Sequence, residues 1–354
     1  MLDHFTRLEV ARELSFVGRP DRARALLKAS VPAALEGERQ LILGESFRGQ
    51  GYFVRAGAAY RAALKLLDRE DRDLAFEAWL GLARCARSLG AVPEARRALS
   101  RARRVPGADR EMLALEDALV LRAESRHRPA LQALLPMLAA ARRRRDWSAV
   151  GFLLWAIAGS RRFSGDLKGS HRDFKQSLSF FRRGRDAQGE AYALFGLGGI
   201  ARVRGLLTEA RRAYVEAGKR LRKGPDLFGR AYAHCGLANC LRQMGLLAEA
   251  KNNYRASYKL YAVLDDRVDL AFVDWGLGQI HQRRGELPAA QRRYRAALRA
   301  FSGGGEHRGL VLARKSLAEI LHARGRTAEA EKLFDSAVAL ARRAGLTAHL
   351  ESYT

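Results

Sequence analysis

Cysteine is scarce in this sequence, and a long apolar stretch is absent. The three cysteines, Cys85, Cys235 and Cys240, are an odd and sparse set that predicts free thiols in a reducing compartment. The longest uncharged apolar run, Trp147 to Gly159, is too short to span a bilayer, and the N-terminal segment has no signal-type apolar core. We therefore expect a cytoplasmic protein with no transmembrane segment.

Patterns that would indicate catalysis or metal binding are also missing. The eight histidines are scattered, and His234, Cys235 and Cys240 are not spaced to bind one metal on a helix. No glycine-rich phosphate loop follows a predicted strand, and no Ser/His/Asp or Cys/His set falls within one segment. We expect a protein that is not an enzyme and that has no cofactor or metal.

Helix-forming residues and arginine dominate what is present. Only 8 residues are proline, while alanine, leucine and arginine are abundant, and this composition favours helix. Hydrophobic residues make up 48% of the chain, enough for a large core. The formal net charge is +26, and 54 of the 64 basic residues are arginine. Such a surface should attract acidic peptides, nucleic acid or anionic lipid.

A 40-residue period organises the C-terminal part of the chain. The segments GLLTEA, GLLAEA, GELPAA and GRTAEA begin at Gly205, Gly245, Gly285 and Gly325, and Gly165 lies one period earlier. Nine residues after each glycine comes an aromatic residue, and three residues later a small one. Looser copies begin at Gly18, Gly51, Gly90 and, in degenerate form, Ser125. We therefore expect four divergent units in 1–146, five regular units in 147–346 and a tail at 347–354.

Each unit is predicted to be a helix, a tight turn and a second helix, here called helix A and helix B. The turn glycine stands where helix A must end, because a left-handed cap favours glycine. In helix B, Leu207, Ala210, Tyr214 and Ala217 fall on one helical face. One such pair cannot bury that face alone, so neighbouring units must stack.

These residues resemble the tetratricopeptide repeat family. The resemblance rests on the pairs 197–198, 237–238, 277–278 and 317–318, each Leu-Gly or Leu-Ala, followed by the turn glycine, the helix B alanine, the aromatic and the second small residue. The usual early aromatic of helix A is replaced by Leu194, His234, Asp274 and Arg314. The long period is similar to that of kinesin light chains, Pins-type adaptors and bacterial Rap-type regulators. The resemblance implies an all-α, right-handed superhelical solenoid of about nine repeats, whose helix A residues line a concave groove that holds peptides or protein segments.

Two sets of residues are candidates for the groove face of helix A. Seven aromatics occupy it in the fifth to eighth units: Phe152, Trp155, Tyr192, Phe195, Tyr232, Phe272 and Trp275. Arginine ends the same stripe in six consecutive units: Arg48, Arg87, Arg122, Arg162, Arg202 and Arg242. Further on the stripe becomes polar, with Gln279 and Gln282. The aromatics are either packing residues or ligand anchors. The arginines either complement the helix dipole or bind carboxylate and phosphate.

Glycines recur beside that stripe, at Gly81, Gly196, Gly236 and Gly276. Glycine inside a helix costs about 1 kcal/mol relative to alanine, so something must approach the backbone closely. Close helix packing and room for a ligand on the groove floor are the two interpretations.

The function that these features favour is a non-catalytic protein-interaction scaffold. Its groove would bind an extended, acidic segment of a partner. The alternatives are a nucleic-acid-binding solenoid, because arginines and aromatics also suit single strands, and a ligand-sensing regulator. The short sequence after the last repeat also predicts self-association through the C-terminal repeat.

Overall fold

The computed structural model describes residues 3–68, 70–304 and 306–346. In these residues the chain forms eighteen α-helices and no β-strand, so the expected all-α class is confirmed. None of these helices is both long and apolar enough to cross a membrane. The tail 347–354 lies outside the described residues.

Consecutive helices pair as helix A and helix B of nine repeats. The first four pairs are α1 (His4–Phe16) with α2 (Pro20–Leu26), α3 (Ala33–Gly49) with α4 (Phe53–Leu66), α5 (Arg72–Ser88) with α6 (Val92–Ala102), and α7 (Arg110–Ala123) with α8 (His127–Arg143). The next five are α9 (Trp147–Phe163) with α10 (Leu167–Arg183), α11 (Ala187–Val203) with α12 (Leu207–Leu221), α13 (Leu227–Gln243) with α14 (Leu247–Leu264), α15 (Arg267–Arg283) with α16 (Leu287–Gly304), and α17 (His307–Ala323) with α18 (Thr327–Arg343). The nine-repeat prediction is therefore confirmed in the described part of the chain.

The turn glycines end helix A as predicted. At Gly205, for example, φ is +74°, and the following amide of Leu206 donates to the carbonyl of Ala201 at 2.9 Å. This is the left-handed helix end that glycine adopts without strain. The corresponding glycines at 18, 51, 90, 165, 245, 285 and 325 also have positive φ, and Ser125 takes the same conformation in the degenerate repeat.

Acidic residues begin helix A in several repeats. The side chain of Asp186 accepts from the amide of Gly189 at 2.8 Å, and that of Asp266 accepts from the amide of Asp269 at 3.0 Å. Such capping satisfies an amide that has no partner within the helix. It also fixes where each A helix starts, so equivalent side chains of successive repeats have the same helical position.

The interior glycines of helix A make room for aromatic rings of helix B. A Cβ atom built at Gly236 would lie under 3.0 Å from the ring of Tyr214, which belongs to the preceding repeat. The same holds for Gly81 against Tyr60, Gly196 against Phe174 and Gly276 against Tyr254. Close packing, not space for a ligand, therefore explains these four glycines.

The chain divides into two compact units. The first contains the residues up to Glu124 together with Lys223–Phe228, and the second contains Ser125–Arg222 and the chain from Gly229 onward. Tyr60 and Leu99 lie in the core of the first unit, while Tyr214, Tyr254 and Tyr294 are buried in the second. The boundary expected at residue 146 concerned the regularity of the repeats and stays a prediction.

Candidate ligand-binding groove

The predicted arginines of the first unit are engaged with neighbouring side chains. The Nε atom of Arg48 donates to the hydroxyl of Tyr60 at 3.3 Å. Arg87 forms an ion pair with Glu116, whose side chain is only 3% exposed. Burial, together with the nearby charge of Arg87, lowers the pKa of Arg122 to about 10. Arg48 and Arg87 are therefore held by side chains of the first unit, and Arg122 is half-buried there.

The predicted arginines of the second unit come together. Arg162 of α9, Arg202 of α11 and Arg242 of α13 line one cavity of about 110 Å³. A fourth arginine, Arg308 of α17, lines it too. Each of these side chains comes from a different A helix, so the cavity forms only where successive repeats stack.

Neutral groups orient two of these guanidinium groups. Arg242, only 5% exposed, donates from Nε to the Tyr254 hydroxyl at 3.3 Å and from Nη1 to Oε1 of Gln279 at 3.4 Å. Its guanidinium also lies 5.4 Å from the ring centroid of Trp275. Arg162 lies 5.3 Å from the ring centroid of Phe163 and packs against Gly199. These neutral partners hold the guanidinium groups in place but leave their positive charge to be balanced.

The two predicted glutamines belong to a hydrogen-bond network beside the cavity. Gln279 Nε2 donates to the hydroxyl of Tyr294 at 2.8 Å, and that hydroxyl donates to Oε1 of Gln282 at 2.6 Å. Gln282 in turn donates to Glu319 at 3.1 Å. The network links side chains of α15, α16 and α17 beside the cavity.

The seven predicted aromatics differ in exposure. Phe195 and Trp275 are buried, and the indole of Trp275 donates to Ser316 at 3.0 Å. Phe152, Trp155, Tyr192 and Phe272 are half-buried, and Tyr232 is 37% exposed. The ring centroids of Tyr192 and Phe195 lie 5.5 Å apart, and those of Phe195 and Tyr232 4.9 Å apart. The rings therefore pack between neighbouring A helices while several of them keep an open face.

A second, apolar cavity lies at the other end of this aromatic row. It has a volume of about 250 Å³ and is lined by Phe152, Trp155 and Tyr192 with Phe181 of helix B. The A-helix face of the second unit thus offers an aromatic pocket and an arginine-lined one.

Three residues that line the arginine-lined cavity were not among the predicted binding residues. Cys235 stands where three other repeats have Trp155, Phe195 and Trp275, and its small side chain leaves space. Asp269 stands where the other regular repeats have alanine or glycine, and Arg308 where they have Ser148, Gln188, Phe228 and Val268. The 40-residue register contained this signal, because each of the three breaks the pattern of its position.

Burial controls the charge of the remaining titratable groups in the cavity. It raises the pKa of the Cys235 thiol to about 12, so this thiol is neutral at pH 7. Burial first, and the neighbouring Asp266 second, raise the pKa of Asp269 well above its usual value, although Arg308 opposes the shift. Four arginines and one acid line the cavity, and Glu306 pairs with Arg308 at 3.9 Å, so positive charge remains in excess at this site.

Comparison with known proteins identifies the repeat. Family models described as tetratricopeptide repeat match residues 41–109, 164–226 and 269–343, together more than half of the chain. No curated protein sequence matches significantly. A Rap protein complexed with competence and sporulation factor is similar in structure, with 14% identity, 90% of this chain and 95% of that chain covered, and a TM-score of 0.60. A human IFIT1 dimer with PPP-AAAA is also similar, with 16% identity, 94% and 81% covered, and a TM-score of 0.56. The helix pairs thus form an interaction-type repeat scaffold, and the chain belongs to the tetratricopeptide repeat family.

Proposed function

We propose that the second unit of this protein binds an extended, acidic segment of a partner protein on the A-helix face, without catalysing a reaction. One observation carries the proposal: Arg162, Arg202, Arg242 and Arg308, from four A helices, line a single cavity. Tyr232, exposed at the same place, offers an aromatic surface to the bound segment.

The chemistry of arginine supports an acidic partner. Its planar guanidinium donates in parallel to both oxygens of a carboxylate, and such charge-assisted hydrogen bonds are about twice as strong as neutral ones. Complementary charge also accelerates the encounter of the two partners. We expect the segment to be extended along successive A helices and to place an acidic side chain in the cavity that the four arginines line.

Nucleic acid is the second candidate, because guanidinium groups pair with phosphate as well as with carboxylate. The similar structures hold unlike ligands: the Rap structure contains competence and sporulation factor, and IFIT1 structures contain PPP-AAAA or m7Gppp-AAAA. At these identities the likeness concerns the fold alone. Binding experiments with this chain distinguish an acidic protein segment from a nucleic acid.

Selection from a displayed library of random peptides tests the proposal. The wild-type chain is compared with the double variant Arg162→Gln/Arg202→Gln and with the control Arg292→Gln/Arg295→Gln, which removes two exposed arginines of α16 that do not line the cavity. We expect the wild type and the control to enrich acidic sequences. We expect the cavity variant to bind those sequences at least about tenfold more weakly, since one charge-assisted hydrogen bond contributes roughly 1.5–3 kcal/mol.

Two outcomes would contradict the proposal. One is enrichment without acidic residues, and the other is equal binding of the selected sequences by the cavity variant. If a single-stranded oligonucleotide displaces the peptides and its affinity falls steeply with salt, the nucleic-acid alternative is favoured.

A further inference from the structure

The arginine-lined cavity is a local specialisation of an otherwise regular array. In the repeats on either side, an aromatic residue fills the position of Cys235, as Phe195 and Trp275 show. The acid Asp269 and the arginine Arg308 also occur at positions where the neighbouring repeats have other residue types. Three departures from one repeat pattern meet at one cavity, and all of them increase its space or its polarity.

The charge on the cavity wall exceeds what one carboxylate would balance. The lining residues include four arginines and one acid, Asp269, and the carboxylate of Glu306 lies 3.9 Å from Nε of Arg308. A carboxylate carries one negative charge and two oxygens in a plane, so one or two guanidinium groups satisfy it. A phosphorylated side chain carries about 1.5–2 negative charges at pH 7 and three acceptor oxygens arranged around phosphorus. Four arginines offer more positive charge and more N–H donors than one carboxylate uses, and a phosphoryl group uses more of both.

The size of the cavity agrees with a small anionic head group. Its volume of about 110 Å³ is several times the roughly 10–15 Å³ that a cavity needs to hold one water molecule. That space is enough for a compact group of a few heavy atoms. Tyr232, which also lines the cavity, is 37% exposed, so the chain that carries the group can reach the cavity from solvent.

We propose that this cavity binds the phosphoryl group of a phosphorylated side chain, so that the partner segment is recognised in its phosphorylated form. This inference rests on the proposed function and deepens it. Arg162, Arg202, Arg242 and Arg308 supply the donors, and Cys235 supplies the space. Asp269 lines the same cavity, and burial raises the pKa of its carboxyl, which reduces its repulsion of a bound anion.

Three peptides of one neutral sequence test the inference, with phosphoserine, glutamate or serine at the central position. Their affinities for the full chain are measured by calorimetry. We expect the phosphoserine peptide to bind at least tenfold more tightly than the glutamate peptide, and the serine peptide more weakly than either. A 5′-phosphorylated tetranucleotide, measured in parallel, is expected to bind more weakly than the phosphoserine peptide.

A substitution in the cavity is compared with one outside it. Cys235→Trp restores the large side chain of the neighbouring repeats and should abolish binding of the phosphoserine peptide. The control Arg292→Gln/Arg295→Gln, outside the cavity, should leave the affinity unchanged. Circular dichroism confirms that each variant is folded. If Cys235→Trp fails to fold, Arg162→Gln takes its place and should weaken phosphoserine binding more than tenfold.

The results separate this inference from the function on which it rests. Equal affinities for the phosphoserine and glutamate peptides would overturn phosphoryl recognition and leave an acidic partner in place. Undiminished binding by Cys235→Trp would show that the cavity is not the site. Preference for the tetranucleotide, or the absence of binding by every peptide, would also overturn the inference. Failure of the library selection described above would overturn the acidic-segment function itself.

Discussion

Replacing Gly236 with alanine should destabilise the second unit, even though alanine is the better helix former. The added methyl group would lie under 3.0 Å from the ring of Tyr214. That ring is only 4% exposed and packs in the core between α12 and α13, although it also lines the arginine-lined cavity. The steric cost therefore falls on packed atoms and not on a mobile surface side chain.

The expected magnitude follows from two opposing terms. Alanine gains up to about 1 kcal/mol over glycine in a helix interior. Inserting a methyl group into a packed core costs about 1–3 kcal/mol. With the full helix gain counted, the net effect is a loss of up to about 2 kcal/mol in the free energy of unfolding. Each kcal/mol lowers Tm by about 2–4 °C for a unit of this size.

Gly218 of α12 provides a control with the opposite sign. A Cβ atom there would lie 3.7 Å from that of Ala233, an ordinary contact. Gly218→Ala should therefore stabilise the protein by about 0.5–1 kcal/mol. Thermal and urea denaturation, followed by far-ultraviolet circular dichroism, compare the two variants with the wild type. If Gly236→Ala raises Tm as Gly218→Ala does, the close contact with Tyr214 is not what keeps Gly236 a glycine.

Two further predictions concern buried charges. Arg87→Ala should lower the free energy of unfolding by about 1–3 kcal/mol. The reason is that Arg84, at 3.4 Å, would then be the remaining ion-pair partner of the buried Glu116. An unchanged urea midpoint would show that the Arg87–Glu116 ion pair does not stabilise the first unit. Asp269→Asn should raise Tm at neutral pH. The raised pKa means that the folded state holds the proton more tightly than the unfolded state, so ionisation destabilises the fold as pH rises above the usual aspartate value. The groups around this carboxyl are Asp266, Glu306, Arg308, Cys235 and Tyr261. Tm measured against pH should show the two proteins converging in acid, and a difference that does not depend on pH would refute the assignment.

The repeat architecture was predictable because its determinants are local. The left-handed backbone conformation at Gly205 and Gly245 favours glycine whatever surrounds it. The 40-residue spacing of such glycines locates each turn. The aromatic of helix B is likewise fixed by helical spacing from that turn. These features determine which helix each residue belongs to and which face it occupies.

Whether a groove residue is ion-paired, buried or open to a cavity was not predictable in the same way. Arg87 and Arg162 occupy equivalent positions, yet one pairs with a buried carboxylate from the next A helix and the other lines a cavity. Phe195 and Tyr232 lie on the same stripe, but Phe195 is buried and Tyr232 is open. The exposure of a groove side chain depends on the size and charge of the side chains that adjacent repeats pack against it. Those side chains do not recur with the 40-residue period.

The sequence by itself therefore determined the helix pairs, their number and the face on which arginine recurs, since each depends on spacing along the chain. Only the tertiary structure decided that four arginines meet at Cys235 and Asp269. A cavity depends on which side chains from separate helices fill a shared volume. Here that volume stays open because one repeat carries a cysteine where its neighbours carry an aromatic ring.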